Sequence, residues 1–283
     1  MLNRKQIVVV GSVVVLMGLM LSLDIQGLVK PNEGAGASNA SGPPQAAKVK
    51  AVSLDDISKT ARESLNASLK KQVSDLEAEL KSSSESDKLS IQKKLAQQWD
   101  DVNQSSPAAF YYELIAEKEP AFESWLKAAD KFTDAYQQSM DTLVQPALVQ
   151  KAIDSYQKAD KIKPNTLEVK TGLGIAYVTG TPNPMQGIQL LLEVVKKDPE
   201  NLKANLNLGL FSMKSGQFDK AVERFKTVIA KAPSAEAWFY LASSYENMNM
   251  KADAIAAYLK TKEIAADPNM SKFVDRKINE LSN

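Results

Sequence analysis

Residues 202–233, LKANLNLGLFSMKSGQFDKAVERFKTVIAKAP, hold two short amphipathic stretches joined by the turn Ser215-Gly216-Gln217 and closed by Pro233. Leu206, Leu208, Gly209 and Phe211 in the first stretch, and Ala221, Val222, Phe225, Val228 and Ile229 in the second, recur at spacings of three and four. That is the helical period. Each stretch is near the minimum length for a helix in water, and neither can bury its apolar face alone. A unit of this kind is stable only when stacked on copies of itself, so the flanking sequence has to supply them.

It does, from about residue 89 to residue 268. Upstream, Leu173, Gly174, Tyr177, Gly187, Leu191, Val194 and Pro199 repeat the spacing with one extra residue in the turn TGTPNPMQ. Farther upstream, Trp125, Ala128, Ala129 and Phe132 make a first helix, and Ala152, Tyr156, Ala159 and Pro164 a second. About eleven extra residues separate those two, around 134–150, and Pro146 predicts the start of the second helix, because proline is tolerated in a first turn. Leu95, Ala96, Trp99, Ala108, Tyr112 and Pro120 form a degenerate first unit whose turn, VNQSSP, lacks glycine. Trp238, Leu241, Ala242, Tyr245, Ala254 and Tyr258 form the last. The units fall at about 89–121, 122–166, 167–200, 202–234 and 235–268.

Leu208, Gly209, Gly216, Ala221, Phe225 and Pro233 resemble the signature of the tetratricopeptide repeat, a helix-turn-helix of about 34 residues. The resemblance implies an all-α, right-handed solenoid of about five repeats, and it assigns most signature residues to packing: Gly174, Gly209, Ala221, Ala242 and Ala254 where helices cross closely, Tyr177, Phe225, Tyr245 and Tyr258 between them. It also implies a concave groove, lined by the first helix of each repeat, that binds peptides or protein segments. On this sequence the groove positions are Glu168, Thr171, Gly172, Ile175, Lys203, Asn207, Leu210, Lys214, Glu236, Phe239, Tyr240, Ser243 and Asn247. Lys203, Asn207, Leu210, Phe239, Tyr240 and Ser243 are the candidate partner-binding residues, with Phe239 and Tyr240 as an exposed aromatic anchor. Some members of the family fill the groove with their own terminal helix, which would leave these residues merely packed. Chaperone-binding members hold a C-terminal carboxylate with a basic and asparagine clamp; here only Asn207 remains, since Leu206 and Leu210 stand in place of its lysine and asparagine. No carboxylate clamp is expected.

The N-terminal region has a different character. Arg4 and Lys5 precede an uncharged run at 7–23, IVVVGSVVVLMGLMLSL, whose 17 residues span roughly 25 Å as a helix. The positive charge before it predicts a single-pass signal anchor with residues 1–6 cytoplasmic and the rest of the chain outside. A cleaved signal peptide is the competing reading, although the nearest small-x-small triplet, Ala35-Gly36-Ala37, lies about a dozen residues beyond the run. Residues 24–51 are rich in Pro, Gly, Ala, Ser and Asn and read as a disordered linker. Residues 52–80 carry Leu54, Ile57, Ala61, Leu65, Leu69, Val73, Leu76 and Leu80 at helical spacing, predicting one amphipathic helix. That helix either caps the first repeat or pairs with a second copy of the chain. A polar break, KSSSESDK, follows at 81–88, and Phe273, Val274, Ile278 and Leu281 predict a capping helix within 269–283.

The chain contains no cysteine and no histidine, which removes disulfides, thiolate nucleophiles, lipid attachment at cysteine, Cys/His zinc sites and histidine triads. No nucleophile, base and orienting group assemble from what remains, so no enzyme, cofactor or metal is expected. A net charge of +1 offers no footprint for nucleic acid. The layout of short N-terminus, anchor and external repeats is similar to ancillary subunits of the bacterial translocon and related periplasmic quality-control factors. It leads to the expectation of an inner-membrane scaffold whose periplasmic repeats bind protein or peptide partners. The alternative is an oligomeric assembly protein joined through residues 52–80.

Overall fold

The computed structural model describes residues 52–282; the apolar run at 7–23 and the linker at 24–51 lie outside them. The described residues form thirteen α-helices and no strand. α1 (Leu54–Glu63) and α2 (Ala67–Ser82) precede five helix pairs: α3 (Glu85–Asp101) with α4 (Ser105–Lys118), α5 (Phe122–Gln138) with α6 (Gln145–Ile162), α7 (Leu167–Gly180) with α8 (Pro184–Lys197), α9 (Leu202–Lys214) with α10 (Phe218–Lys231), and α11 (Ala235–Asn247) with α12 (Lys251–Ile264). α13 (Pro268–Ser282) packs on α12. Among the described residues no helix is long and apolar enough to cross a membrane.

Local chemistry explains where the helices start and turn. Thr166, Asn201 and Ser234 precede α7, α9 and α11, and each side chain accepts the backbone N–H three residues on, at 3.3, 3.0 and 3.1 Å. This satisfies one of the donors that a helix start leaves without a partner. The turns inside the first, fourth and fifth pairs place Asn103, Gly216 and Asn249 at φ 56°, 74° and 59°. Asparagine therefore does in the first unit what glycine does in the fourth.

Within a pair, small residues set the crossing distance. A Cβ on Gly187 would stand 2.3 Å from the Gly174 carbonyl oxygen, and one on Gly174 would stand 2.7 Å from Leu191 Cγ. At Gly209 the ring of Phe225 occupies the space, 2.6 Å from where a Cβ would be. Phe225 and Tyr258 are fully buried, Tyr245 is buried at 9% exposure, and Tyr177 is half-buried.

Two features differ from the sequence-based expectation. First, residues 52–80 are two helices and not one: the chain breaks at Ser64, Leu65 and Asn66, where Asn66 Oδ1 accepts the Leu69 N–H at 3.0 Å and starts α2. The break lets both halves of the apolar stripe reach the same body. Leu54 and Ile57 pack on the cluster of Phe110 and Phe132, while Ala61, Leu65, Val73, Leu76 and Leu80 pack around Leu95, Trp99 and Tyr111. An Arg62–Glu77 ion pair ties α1 to α2. Second, the polar break after α2 is shorter than 81–88, because α2 runs to Ser82 and α3 begins at Glu85. The insertion of the second pair lengthens its first helix, as the sequence leads one to expect, and its second helix too: α5 has 17 residues and α6 has 18, against 13 or 14 in the later pairs. Pro146 lies in the first turn of α6, as its chemistry predicts.

Candidate functional site

The inner helices α5, α7 and α9 bound an open groove of about 850 Å³. Each contributes a polar stripe at helical spacing: Lys127, Asp130, Lys131, Asp134 and Gln137 from α5, Glu168 and Thr171 from α7, Lys203 and Asn207 from α9. The apolar faces of these helices turn the other way, with Trp125, Ala129, Phe132 and Val169 in the core. At mid-groove the floor is Gly172 against Tyr156, whose ring lies where a Gly172 Cβ would be, 2.1 Å from Tyr156 Cζ. Only glycine lets α7 approach the tyrosine this closely, and the Tyr156 hydroxyl is thereby brought to the groove wall, where it donates to Asp130 Oδ1 at 2.7 Å and meets Thr133 Oγ1 at 3.2 Å.

The electrostatics of the groove are uneven. Lys131 donates to Asp100 on α3, and Lys127 reaches the same carboxylate at 3.5 Å while lying 5.1 Å from the Tyr112 ring centre. Burial works against ionisation of Asp100, but the two lysines outweigh it and hold its pKa below the ordinary value. Asp134 is the converse case. Lys131 comes no closer to it than 3.9 Å, and burial, aided by the charges of Asp130 and Asp100, pushes its pKa up despite Lys131 and Lys203. At the other wall, Glu200 pairs with Lys231 at 2.8 Å and Asp198 accepts from Asn201 Nδ2 at 3.1 Å. Asp134 and Glu168 accept no hydrogen bond from any described residue.

The six candidate residues named from the sequence divide into three places. Lys203 and Asn207 line the central groove with Glu168, Thr171, Gly172 and Ile175. Leu210 lies beyond it, with Asn207 and Lys214, in a smaller depression of about 490 Å³ beside the α7–α8 turn. Phe239 and Tyr240 sit near the C-terminal end, half-buried and committed to packing. Tyr240 stacks on Phe225 at 5.5 Å and donates to Glu236 at 3.1 Å, while Phe239 meets Tyr258 at 5.9 Å and Phe273 of α13 at 5.8 Å. Burial, with the Glu236 charge, pushes the Tyr240 pKa up to about 12. The pair is therefore not a free aromatic anchor. Ser243, one turn on, accepts the Asn247 side-chain amide at its carbonyl, 2.8 Å away. The terminal helix covers Phe239 through Phe273 and leaves the groove between α5, α7 and α9 open.

The acidic wall of α5 is absent from that set. Its signal was present as Lys127, Asp130, Lys131, Asp134 and Gln137 at spacings of three and four, but the extra residues of the second pair obscure the register by which groove positions are assigned.

The model of the tetratricopeptide repeat matches residues 212–271. Among the curated proteins none matches this sequence. The crystal structure of a tetratricopeptide repeat protein from Parabacteroides merdae is similar with a TM-score of 0.54 at 15% identity, covering 81% of this chain and 86% of that one. The crystal structure of MamA protein gives 0.46 at 20% identity over 63% of this chain and 92% of its own. YrrB, a tetratricopeptide repeat protein described as having an unusual peptide-binding site, gives 0.42 at 19% over 66% and 91%. The chain is thus similar to the tetratricopeptide repeat family, in sequence over residues 212–271 and in fold over 81% of its length.

Proposed function

We propose that this protein is a membrane-anchored, extracytoplasmic scaffold that binds peptides or partner proteins in the groove between α5, α7 and α9. The observation that carries the reading is the open groove itself: about 850 Å³ of concave space, lined by polar and apolar side chains together, that the terminal helix does not fill. Its size is that of a site for a few residues of extended chain. Asn207 and Gln137 supply side-chain donors and acceptors to the backbone of such a segment. The apolar run at 7–23, preceded by Arg4 and Lys5, supports an anchor with the repeats in the periplasm, where the role is envelope protein assembly or quality control. Assembly through residues 52–80 is disfavoured, because the stripe that would join two copies is packed on the first and second helix pairs of its own chain.

The test is site-specific photocrosslinking in intact cells, with the probe at Lys203 in the groove or at Leu192, which is 45% exposed on α8. Defined adducts are expected from Lys203 and not from Leu192. Equal adducts at both positions would overturn groove binding.

A further inference from the structure

The groove has a preference in charge. Asp130, Asp134 and Glu168 line it opposite Lys203, while Lys127 and Lys131 are drawn off to Asp100 on the neighbouring pair. Five carboxylates and three lysines line the groove. With Lys127 and Lys131 reaching Asp100, Glu200 paired with Lys231 and Asp198 bonded to Asn201, Asp130, Asp134 and Glu168 are left, among the described residues, with Lys203 alone as a close free cation. Asp130 and Asp134 are one turn apart on the same face of α5, so their charges reinforce each other. A concave wall of low dielectric concentrates that potential and makes it longer-ranged inside the groove than on an open surface. Asp134 has only the distant Lys131 at 3.9 Å as an ion-pair partner, and partial burial raises its pKa. A cation placed beside it would relieve the cost of that burial, whereas an anion would add to it.

We infer that the groove takes an extended polypeptide segment carrying a lysine or arginine, whose cationic head sits beside Asp130 and Asp134, with Glu168 adding to the negative potential of the lining. The inference rests on the groove-binding reading and adds the chemistry of the partner to it. Arginine fits better than lysine: its planar fork reaches two carboxylates at once, and its stem lies along Ile175 and the Gly172 floor. The backbone of the segment runs across α7 towards Asn207, and Lys203 disfavours a second cationic side chain at that end.

The experiment measures fluorescence anisotropy of labelled decapeptides built from Gly, Ser and Ala, carrying two arginines, two glutamates or no charge, against the full-length chain in detergent micelles. The arginine peptide is expected to bind tightest, and to weaken by about five-fold with either Asp134→Asn or Glu168→Gln. Lys203→Glu is expected to strengthen it by a similar factor. Raising salt from 0.1 M to 1 M shortens the screening length from about 10 Å to about 3 Å and should weaken it further. Asn207→Trp fills the groove and should reduce binding of every peptide that enters. If all three peptides bind alike and all are lost with Asn207→Trp, the charge preference is wrong and groove binding stands. If Asn207→Trp changes nothing for any peptide, groove binding itself fails, and this inference with it.

Discussion

Lys131 stands between two carboxylates and serves one of them. It donates to Asp100 and stays 3.9 Å from Asp134, so the two acids carry opposite pKa shifts and opposite consequences for stability. Asp100 is depressed in the folded chain: its contribution is present above the ordinary carboxylate pKa and is lost as pH falls through the lowered folded value. Asp100→Asn should therefore cost about 1–2 kcal/mol at neutral pH, and the difference from the parent should shrink on acidification. Asp134 is raised: its ionisation opposes folding at neutral pH, and the penalty disappears below the ordinary value. Asp134→Asn should leave the chain as stable as the parent or more so at pH 7, with no gain near pH 3. Urea denaturation at several pH values checks both, and a large loss from Asp134→Asn at neutral pH would show that Lys131 serves Asp134 after all. No reading of the sequence ranks Asp100 above Asp134 in this way. Both are acids on polar stripes, and which one Lys131 reaches is decided by the crossing of α3 and α5.

The helix pairs were legible because their spacing is set by packing, which the sequence records directly. Gly174, Gly209, Ala221, Ala242, Ala254, Phe225 and Tyr258 are buried in the places their motif positions predict. The junctions between elements were less legible. Asn66 has the chemistry of a helix cap, yet it falls inside an unbroken apolar period of three and four, and the period was the stronger sequence signal. Asn205 is a similar case. It lies next to Leu206 in a motif of apolar residues, its type gives no sign of burial, and it is fully buried. Its amide nitrogen donates to the Pro199 and Asn201 carbonyls at 2.8 and 3.0 Å, and its oxygen accepts from Arg224 Nη1 at 3.0 Å. The side chain thus seats the turn before α9 against α9 itself and against α10. Asn205→Ala would leave two carbonyls and a guanidinium without that partner, at an expected cost of about 1–3 kcal/mol. Thermal denaturation reads the loss. Asn205→Asp, which keeps the acceptor for Arg224 and removes the donor to the two carbonyls, should recover only part of it. Full recovery would place the energy in the Arg224 contact alone.

Along the described residues the core is a chain of clusters carried on successive helices. The N-terminal clusters are built on Trp99, Phe110, Trp125, Phe132 and Tyr156, and the C-terminal one on Phe225, Tyr245 and Tyr258. The cluster that joins them has only aliphatic buried members: Ile175, Ile188, Leu191, Val194, Ala204 and Leu208. In a stacked array, cooperativity between the ends passes through each nearest-neighbour contact, so the weakest junction decides whether the array unfolds as one body. Leu191 is the fully buried centre of that junction, closed against Gly174, which has no side chain to fill a void. Leu191→Ala should remove about 2–5 kcal/mol from the junction and little from either end. Hydrogen exchange under increasing denaturant should then show residues 85–162 and 202–282 losing protection at separate midpoints, where the parent loses them together. The groove crosses this junction, because α5 belongs to one side and α9 to the other. A peptide held from Asp134 to Asn207 bridges the two bodies, and mass action requires it to stabilise their joint folding. Adding the arginine peptide to Leu191→Ala should bring the two midpoints back together. Midpoints that move apart, or that shift in parallel without converging, would mean that the peptide touches only one side and that the groove does not act as a single site.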